Sequence, residues 1–79
     1  MIGKLKNTPV RNLIRGLEGD GFQYTRRKGS QRVYRHIDGR RVVLHFHHPK
    51  DTLPPGTLQS FLQGTCWNED DLKRLGLIK

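Results

Sequence analysis

A chain of 79 residues is expected to make one domain, 1–79, with a core too thin for a large internal substrate cavity, so chemistry belongs on an open face. Fifteen Lys and Arg against seven Asp and Glu give a charge of +8 and a pI of about 10.4, which points to nucleic acid, with an acidic protein partner or simple solubility as alternatives. The lone cysteine excludes an internal disulfide and a Cys-based zinc site and fits a reducing cytoplasm, and no apolar run reaches the ~18 residues of a membrane span or forms a signal peptide.

Met1–Asn7 is basic and reads as a frayed end. Thr8-Pro9 reads as a helix start, with the Thr8 hydroxyl as N-cap and Pro9 at N1, where its missing N–H costs nothing. Val10, Leu13, Ile14 and Leu17 follow at i, i+3, i+4 and i+7, the stripe of an amphipathic helix. Gly19-Asp20-Gly21 ends it.

Phe22–Arg27 reads as a strand with Phe22 and Tyr24 on one face and Gln23, Thr25 and Arg27 on the other. After a turn at Lys28-Gly29-Ser30 comes a second strand, Gln31–His36, in which Val33 and Tyr34 compete for the core. Ile37-Asp38-Gly39-Arg40 is a hairpin turn, since Gly39 can take the positive φ that tight turns require. The third strand, Val42–His47, alternates: Val42, Leu44 and Phe46 inward, Val43, His45 and His47 outward, the two histidines ~7 Å apart along the strand.

Three prolines make 48–55 a loop. A second helix opens at Gly56 or Thr57, buries Leu58, Phe61 and Leu62, and stops at Gly64. Cys66 is expected as a small buried residue. Asn68 caps a last short helix whose first turn carries Glu69, Asp70 and Asp71, with Trp67 as a hydrophobic staple and Leu72, Leu75 and Ile78 as anchors. The expected fold is α+β, in the order α-β-β-β-α: a three-stranded antiparallel sheet with helices on one face and the other face open.

The chemistry concentrates between Arg26 and His48, where seven Lys or Arg and all four histidines meet one acid, Asp38. Arg26, Arg27 and Lys28 beside one turn and Arg40 and Arg41 beside the next, with Ser30, Arg32 and Arg35, are the candidate RNA contacts. Double-stranded RNA is read largely by shape, through phosphate and 2′-hydroxyl contacts, and single strands by stacking. His45 and His47, sharing a face, are the candidate acid–base pair, because imidazole exchanges protons near neutral pH. His36 before the turn reads as a strand-end cap and His48 as a loop residue. No carboxylate cluster accompanies the histidines, so no metal site and no cofactor are expected.

Gly21-Phe22, Lys28-Gly29-Ser30, Tyr34-Arg35-His36, Asp38-Gly39, His47-His48 and Pro55-Gly56-Thr57-Leu58, in this order, resemble the HicA (YcfA-like) toxins from about Pro9 to Leu75. The resemblance implies a double-stranded-RNA-binding-domain-like fold and a ribosome-independent mRNA endonuclease, inhibited by a HicB-like antitoxin in a type II toxin–antitoxin pair. The catalytic histidine of those toxins usually follows Gly-Ser directly, and here that position is Gln31. An amide can hydrogen-bond a phosphate but cannot shuttle a proton near pH 7. The expectation is therefore an mRNA endoribonuclease that uses His47 or His45, with Gln31 orienting the substrate. Its alternatives are an RNA- or antitoxin-binding module of the same fold that does not cleave, and an unrelated basic domain for an acidic protein.

Overall fold

The helical stripe and the strand alternation both translate into the architecture they imply. A computed structural model of the chain describes residues 2–29 and 31–78. Its elements run α1 (Ile2–Leu5), α2 (Val10–Gly19), β1 (Gln23–Lys28), β2 (Gln31–Arg35), β3 (Arg41–His45), α3 (Pro55–Thr65) and α4 (Glu69–Arg74). The strands form one antiparallel sheet in the order β1-β2-β3. Its inner face contributes Tyr34, Val42, Leu44 and Phe46 to a core that they share with Val10, Leu13 and Leu17 of α2, Leu58, Phe61 and Leu62 of α3, and Leu72 of α4. The helices thus cover one face and leave the other open, an α+β fold as expected.

Several local expectations give way to tertiary contacts. Ile2–Leu5 does not fray: it forms α1, whose Leu5 is sealed in the core, while Met1 lies outside the described residues. Thr8 does not cap α2. The N-cap is Pro9, and the helix's first free amides are taken from across the fold, Val10 N–H donating to the Asp51 carbonyl at 2.8 Å and Arg11 N–H to that of Pro49 at 2.8 Å. Every residue of β1 is exposed, Tyr24 included, because the helix layer covers β2 and β3 and leaves β1 as an open edge. Val33 and Tyr34 do not compete, since both are buried on opposite faces, Val33 between its register partners Arg26 and Val43.

Gly64 does not end α3; the helix runs on to Thr65. A Cβ on Gly64 would lie 2.9 Å from the Arg41 carbonyl oxygen, so the glycine lets α3 press against β3. The left-handed cap falls to Cys66, at φ 58°, with its N–H donating to the Leu62 carbonyl and its side chain exposed rather than buried. Asn68 does cap α4, in a capping box with Asp71. Trp67 and Leu72, the N′ and N4 positions of that helix, are both buried.

The C-terminus of α2 is the junction of the fold. Phe22 N–H donates to the Leu17 carbonyl and Gly21 N–H, at φ 97°, to that of Glu18, a Schellman ending. The Asp20 carboxylate accepts from Trp67 Nε1 at 2.9 Å and from Arg74 at 2.9 Å, and pairs with Arg40 at 3.1 Å. Burial raises the Asp20 carboxyl pKa, but hydrogen bonds from Trp67 and Arg74 and the charges of Arg40 and Arg74 outweigh it, so the net shift is downward.

Two outcomes follow at this level. Gly64→Ala should cost about 1–3 kcal/mol by forcing α3 off β3, whereas Cys66→Gly should stabilise by up to about 1 kcal/mol by removing a non-glycine residue from left-handed backbone; denaturant unfolding of the two variants reads both. Because the folded-state value of Asp20 lies below the unfolded ~3.9, its contribution is complete above that pH and is lost as pH falls through the folded value. Asp38, lowered chiefly by the Arg40 backbone N–H, acts in the same direction. Thermal melts should therefore show a fall in Tm below about pH 4 that is shallower in Asp20→Asn, and a loss of about 2 kcal/mol in Asp20→Ala near neutral pH.

Candidate nucleic-acid interface

Strand register sorts the expected site residues into those that share the open face and those that do not. Lys28 lies directly opposite Gln31, and Gln31 directly opposite His45, so the three form one row across β1, β2 and β3. Direct antiparallel partners hold their Cβ atoms ~4.5–5.5 Å apart. His47, just beyond β3, keeps the outward side and meets His45 edge to face, ring centroids 5.9 Å apart at 89°. Both histidines are exposed, as alternation requires with Leu44 and Phe46 buried. A polar amide, two imidazoles and an ammonium therefore crowd one end of the open face.

The middle of that face is apolar, with Val33 buried and Val43 38% exposed, and Arg26 lies beside them as the register partner of Val33. At the far end, Gln23 pairs with Arg35 and Arg35 with Arg41, a second polar row. The face is thus two polar rows separated by a valine band.

Not every expected cation belongs to it. The pairing of β1 slips between Tyr24 and Arg26, a bulge that puts Thr25 out of step and reverses the alternation beyond it. Arg27 consequently opposes Arg32, and Arg32 opposes Leu44, which places both on the helix side. The Arg32 guanidinium sits 4.8 Å from the centroid of the Phe46 ring. Burial pushes the Tyr34 phenol above its ordinary pKa, against a hydrogen bond from Arg32. Arg27 donates to the Gly29 carbonyl at 3.0 Å. Tyr24, 49% exposed, packs edge-on to Tyr34 on that same side, so it offers no stacking platform to the open face.

Arg40 is structural. It binds Asp20 and Asp38, donates to the Thr65 carbonyl, and lies 4.9 Å over the Phe22 ring. Its neighbour Arg41 is exposed on the open face, opposite Arg35. Ser30 lies outside the described residues. His48 is exposed in a turn whose Asp51 carboxylate accepts its backbone N–H at 3.1 Å. Among the described residues no group of three or more His, Cys, Asp or Glu side chains is placed to hold a metal ion.

His36 is more tightly held than a strand-end cap. Its Nε2 is 2.8 Å from the Asp20 carbonyl, its Nδ1 is 3.1 Å from the Asp38 N–H, and its ring meets Phe22 edge-on at 5.1 Å. A carbonyl accepts and an N–H donates, so the neutral ring carries its proton on Nε2, while the Asp38 carboxylate oxygen 3.0 Å from Nδ1 is the partner that a protonated ring would pair with. Long-range 15N–1H correlation spectra above neutral pH should show this Nε2–H tautomer for His36, and an Nδ1–H tautomer would contradict the geometry.

Sequence reasoning missed the recess beside the second row, because neither Gln23 nor Thr25 belongs to a recognisable motif and the bulge that orients Thr25 has no glycine to announce it. The recess has a volume of about 350 Å³ and is lined by Gly21, Gln23, Thr25, Arg35, His36 and Ile37.

An antiparallel three-stranded sheet with helices on one side is an α+β fold of the double-stranded-RNA-binding-domain type. A family model described as HicA toxin of bacterial toxin-antitoxin matches residues 10–77, nearly the whole chain. The chain belongs to the HicA toxin family of bacterial toxin–antitoxin systems. No curated protein gives a match. Among the described residues no helix is long and apolar enough to cross a membrane.

Proposed function

We propose that this chain is a cytoplasmic, metal-independent mRNA endoribonuclease, the toxin of a pair neutralised by a HicB-like antitoxin, and that it works as one HicA-like unit. The observation that carries the reading is the outer row: Gln31 faces His45 across the sheet, with His47 beside it and Lys28 on the other flank.

Cleavage of RNA without a metal needs three things: a base for the 2′-hydroxyl proton, an acid for the departing 5′ oxygen, and charge to stabilise the phosphorane. The 2′ oxygen attacks phosphorus as its proton passes to one imidazole. The bond to the 5′ oxygen breaks as the other imidazole supplies a proton, leaving a 2′,3′-cyclic phosphate and a free 5′-hydroxyl. His45 and His47 divide these roles. The Gln31 amide donates to a non-bridging oxygen, and Lys28 adds positive charge. Arg26, Arg35 and Arg41 extend the phosphate-binding surface along the face.

Gln31 itself favours a second reading. An amide at the position where related toxins usually carry a histidine leaves a face suited to binding RNA or antitoxin without cutting it. An antitoxin of complementary acidic charge would associate quickly with a chain of charge +8 and cover the same face.

Incubation of the purified protein with single-stranded RNA in EDTA separates these readings. Cleavage to cyclic-phosphate ends is expected, falling about 10²–10⁴-fold in His45→Ala and in His47→Ala and rising in Gln31→His. Binding without cleavage, with affinity falling steeply as salt rises, would support the binding module. No RNA affinity at low salt would leave an acidic protein as the partner. Whether the neighbouring reading frame encodes a small acidic protein that co-purifies with this chain tests the antitoxin pairing.

A further inference from the structure

The second polar row and its recess lie outside the acid–base chemistry proposed for the outer row. Arg35 and Arg41 lie directly opposite each other on β2 and β3, both exposed, and among the described residues neither has a carboxylate within salt-bridge distance. Like charges facing each other across a ladder are destabilising unless an anion sits between them. The other facing pair of guanidiniums behaves differently: Arg27 is satisfied by the Gly29 carbonyl, and Arg32 lies over Phe46. The Arg35–Arg41 pair therefore presents two facing guanidiniums whose charge suits a phosphate.

The recess opens directly beside this pair, and Arg35 is one of its walls. Its floor is rigid. His36 is held by Asp20, the Asp38 N–H and the Phe22 ring edge, and Gly21 at φ 97° brings backbone so close to that imidazole that a Cβ would sit 3.1 Å from Nε2. Its chemistry is mixed. Gln23 offers both an amide donor and an acceptor, the Thr25 hydroxyl donates to the Val33 carbonyl at 3.0 Å and still accepts, and Ile37 stands fully exposed. A volume of about 350 Å³ falls at the small end of ligand sites. A cationic pair beside a small recess with hydrogen-bonding walls and an apolar residue at its edge suits a phosphate and the base next to it.

Gln31 and Arg35 are four residues apart on β2, hence ~13 Å along the strand. That spans about two nucleotides of an extended strand. The valine band between the rows, with Val43 partly exposed, offers an apolar surface for the intervening sugar or base. We infer that the substrate is single-stranded RNA lying along β2, with one phosphate between Arg35 and Arg41 and the adjoining unpaired base in the Gln23–Thr25–Ile37 recess, about two nucleotides from the bond at Gln31 and His45. A paired base cannot enter the recess without leaving its duplex, so the subsite selects single strands. The inference rests on the RNA reading above and adds to it a base-recognition point.

The test uses 2′-O-methyl oligonucleotides of two and five residues, which lack the attacking hydroxyl, with 15N-labelled full-length protein. The dinucleotide should shift the resonances of Gln31 and His45, and the pentanucleotide should also shift Gln23, Thr25 and Ile37. Lengthening should tighten binding about 100-fold, a gain that falls to about 10-fold in Gln23→Ala and in Arg35→Ala. Both side chains are exposed, so these variants keep their fold. A pentanucleotide closed into a duplex by its complement should leave Gln23 and Thr25 unshifted. If the longer single strand tightens equally in the variants, or never shifts the recess, the subsite is refuted while RNA binding at the outer row stands. If neither oligonucleotide binds, both the subsite and the RNA reading fall.

Discussion

The Asp20 carboxylate holds together elements far apart in the chain. It sits just past the end of α2, where the helix dipole disfavours a negative charge, and is stabilised there by Trp67, Arg74 and Arg40. Through Trp67 and Arg74 it anchors the α3–α4 connection and α4. Through Arg40, and through its own carbonyl to His36, it anchors the β2–β3 turn. That turn sets where β3 begins, and β3 carries His45. The chemistry proposed for the outer row therefore depends on a junction at the opposite end of the sheet.

This arrangement divides the cations by task. One arginine at the β2–β3 turn is consumed by structure, because Arg40 finds two carboxylates, a carbonyl and an aromatic ring within reach, while the adjacent Arg41 faces outward and among the described residues has none of these. Six of the seven acids lie in segments 18–20, 38 and 69–71, the part of the chain that meets at Asp20 or in α4, and the remaining one, Asp51, serves a turn at the other end. The open face is left with cations, amides and imidazoles. The charge excess of the chain is thus spatial as well as numerical, which is what a surface for a polyanion requires.

Gln31 and the residues around it also acquire a physical logic. Gln31 occupies the centre of the outer row, flanked by Lys28 and His45, so its amide can orient a phosphate even though it cannot move a proton. The imidazoles that can do so stand one strand away, on a face kept open because α2 and α3 are both needed beneath Leu44, Val42 and Tyr34 to close a core this small.

What the sequence determined by itself was whatever repeats with a local period. The 3.6-residue stripe of α2, the alternation that turns His45 and His47 outward, the Asn68 cap of α4 and the run of α2, three strands and α3 are all set by near neighbours. Only the tertiary structure decided matters resting on distant partners. The bulge at Thr25 turned Arg27 to the helix side opposite Arg32, Asp20 claimed Arg40, the approach of α3 to β3 required Gly64, and the cross-strand register joined Gln31 to His45. Periodicity tells a side chain which way to point, but its partner is chosen by whatever the fold brings against it from elsewhere in the chain.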